Sequence, residues 1–257
     1  MKITRKDFLR LSGLSLLAFA GKGAFRAVTA LAGAPADDAA APVKPVRWGM
    51  VIDLAKWRNQ ADDDKCILAC NTAHNIPQIP EPAHQVKWIW QEPFAAVFPS
   101  EATDYTRQSY AGSEVPVMCN HCEKPACVRV CPTGATWKRE DGIVMMDWHR
   151  CIGCKYCVVA CPYGARSFNF SDPAPYLKQV NTEFPARCKG VVEKCNFCAE
   201  RLARGEQPAC VEARPDKAMI FGNLADPNSE IRQALRSRFS IRRKPELGTE
   251  PNVFYIV

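Results

Sequence analysis

Cys151-Ile152-Gly153-Cys154-Lys155-Tyr156-Cys157-Val158-Val159-Ala160-Cys161-Pro162 decides how the rest of this chain is read. Three cysteines recur at every third position, a fourth follows four residues later, and a proline comes directly after it. The first three are close enough to wrap a tight loop around one polynuclear centre. The fourth begins a short helix and points away, toward a neighbouring centre. Thiolates at this spacing are the ligand set of an iron–sulfur cubane.

Working outward, the same form occurs just upstream with one longer step, as Cys119-x2-Cys122-x4-Cys127-x3-Cys131-Pro132. The two runs make an internal repeat of the bacterial two-cluster ferredoxin type. Cross-ligation then gives Cys119, Cys122, Cys127 and Cys161 to cluster one, and Cys151, Cys154, Cys157 and Cys131 to cluster two. Two sparser groups flank the repeat: Cys66 and Cys70 before it, and Cys195, Cys198 and Cys210 after it, with Cys188 standing alone.

Rival chemistries for fourteen cysteines fit less well. Structural zinc takes two knuckles of two ligands each, not triplets with a remote fourth cysteine and proline. Disulfides suit an exported chain, but cysteines at CxxC spacing cannot all pair without strain. Attached haem requires CxxCH, and no CxxC here is followed by histidine. His74, His84, His121 and His149 are too scattered in sequence to form a metal centre. His121 and His149, next to cluster loops, read first as ordinary core or surface residues and second as tuners of a potential.

Charge excludes little but points away from nucleic acid. The formal +7 sits mostly in residues 1–36; without them 28 basic and 26 acidic side chains remain. Each cubane with four thiolates adds about −2, so the loaded protein is mildly acidic. Residues 1–36 read as an export signal: a basic start, an apolar run Leu11–Gly21, and small residues up to Ala34-Pro35-Ala36. The run is too short and too interrupted for a convincing membrane span. Thr4-Arg5-Lys6-Asp7-Phe8-Leu9 resembles a twin-arginine signal, with Lys6 in place of the second arginine. A route for folded proteins suits clusters assembled in the cytoplasm, so a periplasmic location is expected.

The order of the groups, Asp53-Leu54, and the run Glu193-Lys194-Cys195-Asn196-Phe197-Cys198-Ala199-Glu200-Arg201-Leu202 resemble the four-cluster ferredoxin-type subunits of polysulfide-reductase and NrfC-like oxidoreductases. The likeness covers nearly all of residues 46–225. Ile143–Cys154, Cys161–Asn169 and the Ile241-Arg242-Arg243-Lys244-Pro245 tail are most similar to the periplasmic ferredoxin subunits (DsrO type) of sulfite-reductase-linked Dsr membrane complexes. The resemblance implies an integral membrane, quinone-interacting partner of the NrfD type, a multihaem cytochrome c subunit as a further partner, and work in dissimilatory sulfur metabolism.

Departures from that pattern change the cluster count. Trp57 stands where the family has its first cysteine, no second cysteine follows before Asp62-Asp63-Asp64, and Arg214-Pro215 replaces the closing Cys-Pro. By cross-ligation all the lost ligands belong to one cluster. Cluster three keeps Cys195, Cys198, Cys210 and Cys70, giving three [4Fe–4S] clusters in all. Cys66 is left to pack as a small hydrophobe, with a Cys66–Cys188 disulfide as the alternative.

The expected fold class is α+β, with two ferredoxin-like halves. The central half (113–172) is inserted into an outer half built from 46–112 and 173–225, and a basic helix and tail occupy 226–257. Strands are expected at 46–54, Val86–Trp90, Ile143–Asp147 and Phe254–Ile256, and a helix from Asp226-Pro227 through Leu235. The six basic residues between Arg232 and Lys244 read as a solvated face or as a docking surface. No phosphate loop, nucleophile–base pair or flavin signature is present, so the expected role is electron relay rather than catalysis. A metal- or disulfide-held structural module and a free-standing soluble polyferredoxin are the rivals.

Overall fold

The computed structural model describes residues 46–57 and 60–257, the backbone alone at 60–63. The export-signal reading of residues 1–36 lies outside the described residues. One four-stranded sheet organises the rest. Strand β1 (Trp48–Asp53) pairs parallel with β10 (Val253–Ile256) and antiparallel with β8 (Met219–Asn223), and β9 (Ser240–Ile241) completes the order β8-β1-β10-β9.

Alternation along β1 sorts its side chains between two cores, as a pleated strand must. Met50 and Ile52 face the main core, while Val51 faces a smaller one with Leu224, Ile231 and Ile256. Helix α1 (Leu54–Trp57) and the fourteen-residue α2 (Gln60–Ala73) follow β1 and carry Trp57, Cys66 and Cys70 into the main core. β2 (Ile89–Pro93) and β3 (Glu114–Met118) form a hairpin bridged by two short helices, α3 (Phe94–Val97) and α4 (Asp104–Ser109).

The cysteine-rich stretch consists of single helical turns and two-stranded ribbons. α5 (Ala126–Arg129) and α6 (Tyr156–Val159) each end just before a Cys-Pro, and β4 (Thr136–Lys138) pairs with β5 (Val144–Met146). The internal repeat is visible in the backbone. The Cys131 N–H donates to Val128 O and the Cys161 N–H to Val158 O, each at 3.3 Å. β6 (Ser167–Phe168) pairs with β7 (Val192–Glu193). Two further single turns, α7 (Ala199–Leu202) and α8 (Ala209–Glu212), lead back to β8, and α9 (Glu230–Ser237) covers the sheet's second face through Ile231.

Three local expectations shift. The strand expected at Val86–Trp90 begins at Ile89, because the Lys87 N–H donates to Ser167 Oγ at 2.9 Å and holds that segment beside β6. The helix expected from Asp226-Pro227 begins at Glu230. Asp226 is spent in a turn, its Oδ1 accepting the Asn228 N–H at 3.0 Å and its carbonyl accepting the Ser229 N–H at 3.2 Å. The basic run is only partly a solvated face: Arg238 pairs with Asp53, Lys244 donates to Pro162 O, and Arg243 is buried.

Candidate metal centres

Cys119, Cys122, Cys127 and Cys161 line one small cavity, together with Asn120, Val144, Tyr163, Arg166 and Thr249. The end of β3 delivers Cys119, α5 carries Cys127, and Cys161 arrives from the second repeat after α6. The Asn120 side chain is 1% exposed, yet neither its amide nitrogen nor its oxygen has a partner among the described residues. Burial, reinforced by Cys119, pushes the Cys122 thiol up to about 12.

A second group forms where α5 and α6 meet. Cys127, Cys131, Cys151 and Cys157 pack in one apolar cluster with Ala135, Met146 and Val192. Cys154 stands exposed on the rim of the same loop. The loop is tightly folded: Gly153 takes φ +69°, and a Cβ there would meet Gly190 O at 2.3 Å. Burial raises the Cys131 thiol, but N–H and hydroxyl donors around Thr133 and Thr136 outweigh it and hold it below its usual range.

The third group joins distant parts of the chain. α2 packs on α8, which brings Cys70 to Cys210, Cys198 and Cys195. Burial first, and mutual repulsion second, holds Cys70 and Cys210 well above the usual thiol range and Cys195 at about 12. Ionised together in this buried space these thiolates repel one another, and cationic iron removes that repulsion, so the donor set fits [4Fe–4S] centres.

The histidines are less scattered than their sequence spacing implies. His74, Cys198 and Glu200 converge so that one ligand atom of each lies within 4.8 Å of the others. Both His74 nitrogens are already engaged: Nδ1 lies 3.0 Å from Cys70 O and Nε2 lies 2.8 Å from Glu200 Oε1. His74 is therefore a wall of the third group. His121 is fully buried and stacks on Phe197 with centroids 3.6 Å apart, linking the Cys119–Cys122 loop to the Cys195–Cys198 loop.

At the positions where the resemblance puts missing cysteines, the Arg214 guanidinium lies 4.5 Å over the Trp57 ring. Arg214 is 2% exposed and meets Asp216 at 2.8 Å. Cys66 is fully buried in the main core, whereas Cys188 is exposed, and neither is in a disulfide. Sequence reasoning passed over Arg166 and Lys194, although one follows Cys161 by five residues and the other directly precedes Cys195. A basic residue inside a cysteine motif was the available signal.

The fold and these thiol clusters define a ferredoxin-type iron–sulfur protein, and residues 111–224 match the profile of the 4Fe-4S dicluster domain. The Hdr-like menaquinol oxidoreductase iron-sulfur subunit 1 of Archaeoglobus fulgidus is 42% identical, over 81% of this chain and 82% of its own. The B subunit of the polysulfide reductase of Wolinella succinogenes is 39% identical over 76% and 91%, and the protein NrfC homolog of Haemophilus influenzae 35% over 83% and 81%. The chain belongs to this family of NrfC- and polysulfide-reductase-B-like iron–sulfur subunits.

Proposed function

We propose that this chain is a three-cluster electron-transfer subunit that relays electrons between a membrane quinone-interacting subunit of the NrfD type and other redox subunits of a respiratory complex. The observation that carries the reading is the convergence of Cys161, from the second repeat, on the cavity lined by Cys119, Cys122 and Cys127. Cross-ligation of two cubanes requires that exchange. Cys119, Cys122, Cys127 and Cys161 hold cluster one; Cys151, Cys154, Cys157 and Cys131 hold cluster two; Cys195, Cys198, Cys210 and Cys70 hold cluster three.

A count of three is supported by the Trp57–Arg214 stack, since an aromatic ring and a cation donate nothing to iron. With four thiolates assigned to each cubane, no iron is left open for substrate. Each cluster supplies one-electron storage with little rearrangement. The polypeptide sets spacing, exposure and local charge. The menaquinol and polysulfide complexes named for the relatives support a quinone-linked partner and a place in sulfur respiration. A multihaem cytochrome c is the further partner in this reading, and the periplasm its compartment.

Anaerobically purified protein is expected to contain about twelve irons and about twelve acid-labile sulfides per chain, four of each per cubane. Sixteen irons would place a fourth centre beside Trp57. Eight would remove cluster three.

A further inference from the structure

Buried cations in this protein are of two kinds. Arg187 meets Glu193 at 2.6 Å with both side chains fully buried, and Arg214 meets Asp216 at 2.8 Å. Arg166 and Lys194 are equally enclosed, at 4% and 1% exposure, but neither lies within ion-pair distance of a carboxylate among the described residues. Arg166 Nη2 donates to Cys127 Sγ at 3.0 Å and to Thr136 Oγ1 at 2.8 Å. Lys194 Nζ donates to Val144 O and, at 2.7 Å, to Cys195 O. A cation left in a protein interior without counter-charge is strongly unfavourable. The nearest source of counter-charge is what the cysteines hold.

Both cations converge on the same cavity. Arg166 lines it, and Lys194 reaches its wall by donating to the carbonyl of Val144; Cys119 and Cys127 favour the charge of both, against burial and the repulsion between the two cations. A third buried cation, Arg243, lies 5.4 Å over the ring of Tyr163, another wall of that cavity. The other two groups are less favoured. Cys157 of the second shares Arg166, whereas the third shares Lys194 but also faces the Glu200 carboxylate, which acts on Cys195 and Cys198. The cavity is also central: Cys127 packs with the second group, and Cys195 packs beside Cys119.

We infer that Arg166 and Lys194 are the counter-ions of the cluster held by Cys119, Cys122, Cys127 and Cys161, and that they make it the highest-potential centre of the three. It is an electron well between the other two. This rests on the three-cluster reading. Reduction adds one negative charge to the cluster, and a fixed cation at contact distance in a low-dielectric interior stabilises the reduced form more than the oxidised one. Both residues are positioning residues for the electron; neither ligates iron.

The test is an EPR-monitored dithionite titration of the anaerobic full-length holoprotein, with iron counted in every sample. Arg166→Gln and Lys194→Gln are each expected to keep twelve irons and to weaken electron uptake by the first-reduced centre at least tenfold, about 59 mV for one electron. Arg166→Lys should restore most of that loss. Fully loaded Gln variants whose first-reduced centre shifts less than about twofold, about 18 mV, would overturn the assignment. Should the Gln variants fail to load, the otherwise unchanged protein decides. A first-reduced signal perturbed by Cys122→Ser supports the inference, and one perturbed instead by Cys154→Ser or Cys198→Ser sinks it. A wild-type count other than twelve would fault the cluster reading, not the counter-ions.

Discussion

Cys70 and Cys195 lie on either side of the central cysteine repeat, yet each contributes to the same buried sulfur group. Cys70→Ala and Cys195→Ala should therefore remove the same EPR signal and the same share of iron. Cys66→Ala should leave iron content unchanged, because its expected co-ligand positions are held by Trp57 and Arg214. Loss of a cluster in the Cys66 variant, or a full iron count in the Cys70 variant, would show the third site to be misassigned. A different residue-scale risk lies in the pair of Arg187 and Glu193. Glu193 also accepts from Trp88 Nε1 at 3.1 Å and from Asn169. Glu193→Ala strands a fully buried guanidinium and is expected to cost about 3–5 kcal/mol, measured by urea unfolding under anaerobic conditions. Unchanged unfolding would mean that water reaches the arginine.

Among the elements, the loop before α6 is the most constrained. It needs a left-handed backbone at Gly153 and has no room for a side chain, since a methyl group there would sit 2.3 Å from Gly190 O. An L-residue in that conformation costs about 1–2 kcal/mol before the clash is counted. Gly153→Ala is expected to loosen Cys151 and Cys154 together and to yield about four irons fewer than wild type. A full complement would show that the 188–190 segment moves aside freely. β10 has a different kind of importance: it lies between β1 and β9 and hydrogen-bonds to both. The C-terminal strand is thus a member of this chain's own sheet, and Asn252 just before it donates to His121 O at 2.7 Å.

At the scale of the molecule, stability is unevenly distributed. A large aliphatic and aromatic core supports the sheet, but the packing between α5 and α6 consists largely of cysteines with Ala135, Met146 and Val192. Iron is accordingly a structural component of the central segment. Stripping it with a chelator after oxidation should open residues 119–166 to protease first, with the sheet cleaved later. Simultaneous cleavage throughout would mean the two regions fold as one. The export reading also belongs at this scale. Mature protein is expected to begin near residues 33–37 on the periplasmic side; N-terminal sequencing that returned Met1 from a cytoplasmic fraction would overturn it. Among the described residues no helix is long and apolar enough to cross a membrane. Native protein that leaves membranes only with detergent, bringing an integral subunit with it, would match the proposed partner. Recovery as a lone soluble chain would favour a polyferredoxin.

Sequence by itself determined the local chelate loops, because a CxxCxxC spacing leaves the backbone few ways to present three thiols to one centre. It also placed β1, the β5 strand after its Asp141-Gly142 turn, and the terminal strand, each a short apolar run. Only tertiary structure decided which sheet the terminal strand joins, that it is the packing of α2 on α8 that brings Cys70 to the Cys210 expected beside it, and that His74 stands beside Cys198. Arg166 and Lys194 show the difference most clearly. In the sequence they are two basic residues near cysteines, and a basic residue ordinarily faces water. Their burial without a carboxylate is a property of distant segments closing over them, and spacing along a chain carries no record of that closure.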